Sequence, residues 1–259
     1  MRQKITSSLI ILAALLLLPC IAEAKGKPKT WLVCVGISDY PDKKNKLEWP
    51  VRDAAIIKWV YEQNGNVETR MFLDKDATHE NIAKGVKQLY AKAKKNDAVV
   101  FFYSGHGMPG SFDCINGYLK YDAIIDAMGA SQAQRKIIFA NSCFSGNLIN
   151  KAGEKDQKQN TGDKKKQKNA KTSKNKGVMI FMSSRPNETS LGIRGMVHSV
   201  FPSYLQNALK GGADVNGDRT ITAKELFDFV SQGVIKQTED RQHPTMQGNF
   251  DDNMIILSW

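Results

Sequence analysis

Along this chain, mostly apolar runs alternate with stretches whose apolar residues recur every three or four positions. The runs at 31–37, 98–103, 136–140 and 178–182 are apolar nearly throughout, which predicts strands buried on both faces. A shorter run at 67–73 alternates apolar and polar, and 254–257 reads as a last strand. Helical spacing appears at 53–61, where Ala55, Ile56, Trp59 and Val60 share a face. Thr78 is placed to cap a helix reaching to about position 94, with Ile82, Val86, Leu89 and Tyr90 on one side. Further helices are expected at 121–128, 199–209 and 222–237.

Strands of this kind separated by helices pair in parallel through right-handed crossovers. The expected fold is therefore an α/β protein, a three-layer α/β/α sandwich around a mostly parallel sheet of about six strands. In such sheets a site forms beyond the carboxyl ends of the strands.

Two segments stand outside this pattern. At the N-terminus, Arg2 and Lys4 precede ten apolar residues, Leu9 to Leu18, then Pro19 and Ala22-Glu23-Ala24. This reads as a secretory signal over 1–24, cleaved before Lys25, and predicts an exported protein, periplasmic or secreted. Lipid anchoring through Cys20 is the lesser alternative, because Leu17-Leu18-Pro19 lacks the small residue usual before a lipidated cysteine. No later stretch is long enough to insert in a membrane. The domain expected over 25–259 carries an insertion at 151–176 with ten lysines and three acids, which reads as a disordered loop. That insertion holds +7 of the formal +11, leaving +4 elsewhere, so no broad basic face argues for nucleic acid.

Composition excludes other classes. The chain is 41% hydrophobic and 24% charged, with 20 glycines and 8 prolines, as in a globular domain. Four cysteines without a C-x-x-C pair suit neither a disulfide scaffold nor a zinc ribbon. Signal removal would leave Cys34, Cys114 and Cys143, an odd number, so at least one thiol stays unpaired.

The candidate chemistry lies at two strand ends. Phe101-Phe-Tyr-Ser-Gly-His-Gly107 puts His106 just past one buried strand, and Ile137-Ile-Phe-Ala-Asn-Ser-Cys-Phe-Ser-Gly146 puts Cys143 just past another. If those strands are parallel neighbours, both side chains reach the same rim, where an imidazole can activate a thiol. A phosphatase loop would need an arginine six positions after Cys143, but none follows before Arg185. A hydrolase elbow would need glycine where Phe102 precedes Ser104, and His79, His106, His198 and His243 show no zinc spacing.

With these motifs, the sequence resembles the caspase-like cysteine peptidases, closest to the bacterial and metacaspase-type members. The resemblance rests on Val33-Cys-Val-Gly-Ile37 with Tyr40, Asp53-Ala-Ala55, Tyr103-Ser-Gly-His-Gly107 and Asn141-Ser-Cys-Phe-Ser-Gly146, and spans about 30–257. It implies a cysteine endopeptidase acting on proteins or peptides through a His106/Cys143 dyad, with no required cofactor. The backbone N–H groups of Gly107 and Cys143 would form the oxyanion hole. It implies a substrate pocket with Asp53 favouring Arg or Lys, but with Asn141 where a second acid is usual. It also implies self-cleavage in the lysine-rich insertion, at one or more of Lys151, Lys155, Lys158, Lys164, Lys165, Lys166, Lys168, Lys171, Lys174 and Lys176. The alternative is a catalytically idle scaffold of the same fold, for which an intact His106/Cys143 pair would have no physical use.

Residues 214–225 have oxygen-bearing side chains at six calcium-loop positions, among them Asp214, Asn216, Asp218, Thr220 and Glu225, but Arg219 stands where that loop needs glycine. Calcium is possible there. The favoured expectation is a polar turn in which Thr222 and Glu225 form a helix capping box.

Overall fold

The structure, a computed structural model, describes residues 28–142 and 177–259. The leader, Cys20, Cys143 and the lysine-rich insertion lie outside the described residues.

The runs read as buried strands form the sheet. β1 (Thr30–Gly36), β3 (Ala98–Ser104), β7 (Arg135–Asn141) and β8 (Val178–Met182) are almost wholly buried, while β2 (Val67–Leu73) is half-buried at the edge. These five strands are parallel neighbours in the order β8-β7-β3-β1-β2. A sixth, β10 (Thr245–Gln247), pairs antiparallel with β8. The run expected to supply the sixth strand, β11 (Ile255–Ser258), pairs instead with β9 (Thr220–Thr222) in a separate two-stranded sheet. Three short strands form a meander off the main sheet, β4 (Gly107–Met108), β5 (Ser111–Cys114) and β6 (Gly117–Lys120).

Apolar side chains leave the sheet on both faces and define two cores. One joins Val33, Val99 and Ile138 to Ile82, Val86 and Leu89 of α2 (His79–Tyr90) and Ile124 and Met128 of α3 (Tyr121–Ala130). The other joins Leu32, Phe102 and Phe139 to α1 (Pro50–Asn64), α4 (Val200–Asn207) and α5 (Ala223–Gln237). Burying these faces on helices is the main force holding the three layers together. Thr78 caps α2, and α1 starts at Pro50, where a missing N–H costs nothing.

Candidate active site

The register of the sheet decides what meets at its rim. β3 and β7 run parallel with Ser104 opposite Asn141. His106 stands two residues past Ser104, and Cys143 stands two residues past Asn141 in the sequence. The strands carrying the two motifs are thus in-register neighbours ending together, which meets the condition set by the sequence reading.

His106 is held from four directions. Its backbone N–H donates to Tyr40 Oη at 2.8 Å, and its carbonyl accepts from Tyr103 Oη at 2.7 Å. Its ring leans on the Tyr40 ring, centroids 4.8 Å apart. Its Nε2 lies 2.8 Å from the carbonyl oxygen of Asn45. A carbonyl can only accept, so Nε2 carries the proton and Nδ1 is left as the basic nitrogen. Burial pushes the Tyr40 and Tyr103 hydroxyls well above their ordinary pKa, which keeps both as neutral hydrogen-bonding groups. Gly105 permits this arrangement, because a Cβ there would come within 2.7 Å of both tyrosine hydroxyls. Gly107 opens β4 and is only half-buried.

Asp53, in the first turn of α1, is fully buried yet saturated with donors. Its Oδ2 accepts from Ser199 Oγ at 2.6 Å, Ser104 Oγ at 2.9 Å and Asn141 Nδ2 at 3.4 Å. Its Oδ1 accepts from the Ser199 N–H at 3.0 Å, with His198 Nδ1 at 3.7 Å. Asn141 also donates to Ser104 and Ser199, so Asp53 and Asn141 belong to one network. Asn141 Oδ1, Ser142 Oγ and His198 Nδ1 are buried without a hydrogen-bond partner.

A cavity of about 200 Å³ opens over this network. Its lining includes Asp53, Ser104, His106, Asn141 and Ser142 together with Trp49, Thr189, Ser190 and Gly192. Trp49 donates to Met196 O at 3.1 Å and packs over Gly192, where a Cβ would strike its ring at 2.1 Å. Gln242, fully buried, donates to Ser183 O and accepts from Leu191 N, each at 2.8 Å.

The described cysteines are Cys34 and Cys114. Both are buried and unbonded. Burial pushes the Cys34 thiol far up and the Cys114 thiol up to about 12, so neither supplies thiolate near neutral pH.

The 214–225 loop folds on its own hydrogen bonds. Asp214 accepts from the N–H groups of Gly217, Asp218 and Arg219, Asn216 from Asp218, and Asp218 from Thr220. Arg219 takes the left-handed conformation that glycine would favour there, with φ of 62°. Thr222 and Glu225 form the expected capping box. Among the described residues, no group of three or more His, Cys, Asp or Glu side chains is arranged to hold a metal. No described helix is long and apolar enough to cross a membrane.

Reading the sequence did not find Asn45, Ser199 or His198. Asn45 acts through its backbone carbonyl, which no side-chain pattern announces. Ser199 appeared only as the start of a helix. Ser104 lay within the histidine motif without a role of its own.

Comparison with known proteins bears on this arrangement. A family model described as the caspase domain of peptidases matches residues 29–255. The crystal structure of a protein from Geobacter sulfurreducens is similar at a TM-score of 0.60 and 15% identity, covering 86% of this chain and 94% of that one. Caspase-1 from Spodoptera frugiperda is similar at a TM-score of 0.60 and 16% identity, covering 88% and 89%. Among curated protein sequences none matches.

Proposed function

Because the chain belongs to the caspase-domain family of cysteine peptidases, we propose that it is an exported cysteine endopeptidase in which Cys143 attacks the peptide carbonyl and His106 handles the proton. The observation that carries this reading is His106 itself: Asn45 O fixes its tautomer and leaves Nδ1 basic at the rim where β7 leads toward Cys143. His106 Nδ1 takes the thiol proton as the C–S bond forms. The imidazolium then protonates the leaving amine as the C–N bond breaks, and water releases the acyl group. Backbone N–H groups of Gly107 and Cys143 are assigned to the oxyanion.

The pocket beneath His106 is assigned to a basic side chain on the acyl side of the cut. Asp53 supplies the negative charge, and unpartnered Asn141 Oδ1 supplies an acceptor. Self-cleavage after lysines of 151–176 and export through the leader belong to the same proposal, as does the absence of a required cofactor.

Thiol labelling tests the nucleophile. A thiol alkylator at neutral pH should label Cys143 first, with Cys34 and Cys114 inert until unfolding, and Cys143→Ala should abolish hydrolysis. Full activity in Cys143→Ala would refute the assignment, and a parent that hydrolyses no peptide would favour the idle scaffold.

A further inference from the structure

We infer that Asn141 makes this pocket selective for lysine over arginine, because it leaves single, separate acceptors where a guanidinium needs a fork. The inference rests on the peptidase reading above and refines its preference for basic side chains.

The orientation of the Asn141 amide follows from its neighbours. Nδ2 lies 2.8 Å from Ser199 Oγ, 3.0 Å from Ser104 Oγ and 3.4 Å from Asp53 Oδ2. Both serine hydroxyls donate their protons to Asp53 Oδ2, so toward Asn141 they can only accept. Three acceptors therefore surround one end of the amide, and that end must be the NH2. The other end, Oδ1, is buried without a partner in a residue only 5% exposed that lines the cavity.

The same network closes the edge of Asp53. Its Oδ2 already takes three donors, and its Oδ1 takes the Ser199 N–H with the His198 imidazole alongside. A guanidinium binds a carboxylate best through two parallel bonds to one free edge, and Asp53 offers none. Among the described residues of this network, the oxygens still without a partner are Asn141 Oδ1 and Ser142 Oγ, one to each side chain, beside the charge of Asp53.

An ammonium suits that arrangement. Its three donors rotate independently and need no common plane. A guanidinium brings five fixed donors, of which several would stay unmet in a cavity of about 200 Å³. Guanidinium sheds its water more readily, which favours arginine, but each unmet donor opposes it. One unmet donor is enough for about a tenfold preference.

The test uses the full chain and peptides identical except for Lys, Arg, Gln or Asp on the acyl side of the cut. The expected result is a kcat/KM about tenfold higher for Lys than for Arg. Asn141→Asp should remove the Nδ2 donor that ties the amide to Asp53, Ser104 and Ser199, open the network by setting a second carboxylate against the first, and move the ratio toward Arg, with its melting curve recorded to establish folding. Arg cleaved as well as Lys, or better, by the unaltered chain would overturn this inference while leaving the basic pocket standing. So would a folded Asn141→Asp protein whose Lys-to-Arg ratio is unchanged. Cleavage after Gln or Asp in preference to both, or cleavage of none, would overturn the basic-pocket reading together with the inference. Because the unaltered chain alone gives the first ratio, the test does not depend on the variant folding.

Discussion

Where the parallel strands begin, Asp97 accepts from Trp31 Nε1 and Lys29 N at 2.9 Å and from Lys94 N at 2.8 Å. Where they end, Asp53 accepts from Ser104, Asn141 and Ser199 beneath the cavity beside His106. Both carboxylates are almost fully buried and well supplied with donors. At Asp97 two of the three donors are backbone N–H groups and the third is an indole, none with an unused acceptor. At Asp53 most donors are hydroxyl and amide side chains, and around them Asn141 Oδ1, Ser142 Oγ and His198 Nδ1 lack partners. The first carboxylate completes a fold. The second leaves polar capacity beside a cavity, which a structural network has no reason to keep.

The two carboxylates can be separated by mutation. Asp53→Ala should cost about 3 kcal/mol of stability, since it strands several buried donors, and should also erase any basic preference. Asp97→Ala should cost about 2 kcal/mol and leave peptide preference as it was. Urea melts and the peptide panel read both, and a changed preference in Asp97→Ala would collapse the distinction.

Two glycines sharpen the same contrast. Gly105→Ala would push a Cβ against Tyr40 and Tyr103, the residues that hold His106, and should lower kcat/KM about a hundredfold. Gly65, at the opposite end, has open space around its Cβ position and an extended backbone. Gly65→Ala should leave activity untouched and change stability by no more than about 1 kcal/mol.

The carboxylate at the strand beginnings also predicts a pH window. Desolvation alone would raise the Asp97 pKa, but the bonds from Trp31, Lys94 and Lys29 outweigh it and hold the carboxyl below its usual value. A folded value below the unfolded one stabilises the protein above the unfolded pKa, near about 4, and that stability is lost as pH falls through the folded value. The stability gap between parent and Asp97→Asn should therefore be full at neutral pH and shrink below about pH 4. A gap that does not change with pH would show that those three bonds do not favour the ionised carboxyl.

The smallest effect belongs to the 214–225 loop. Asp214→Ala should cost about 1 kcal/mol without calcium, because the carboxylate organises three backbone N–H groups. Millimolar calcium should not move the melting temperature of the parent. A rise that Asp214→Ala removes would make the loop an ion site.

Much of the layered fold was legible because β1, β3, β7 and β8 are long apolar runs and Thr78 announces the start of α2 between two of them. The register was not legible, since it is fixed by twist and packing across strands distant in sequence. β10 escaped notice because its three half-buried residues, Thr245 to Gln247, show no period. Met254 to Leu257 looked like a sixth core strand because local pattern cannot tell which sheet a strand joins. At the site, His106 stood out by type and place, and Asp53 through the family resemblance. The Asn45 carbonyl and the Ser104 and Ser199 hydroxyls did not, because their roles exist only after β3, β7 and α4 meet.

The central claim is that Cys143, with His106, cuts peptide bonds after basic residues. Its most direct measurement is a digest of one peptide library by the parent and by Cys143→Ala side by side, with cut sites read by mass. The account predicts cuts after Lys, and less often Arg, in the parent and none with Cys143→Ala. Equal digestion by both proteins, or parental cuts clustered after Asp, would contradict it.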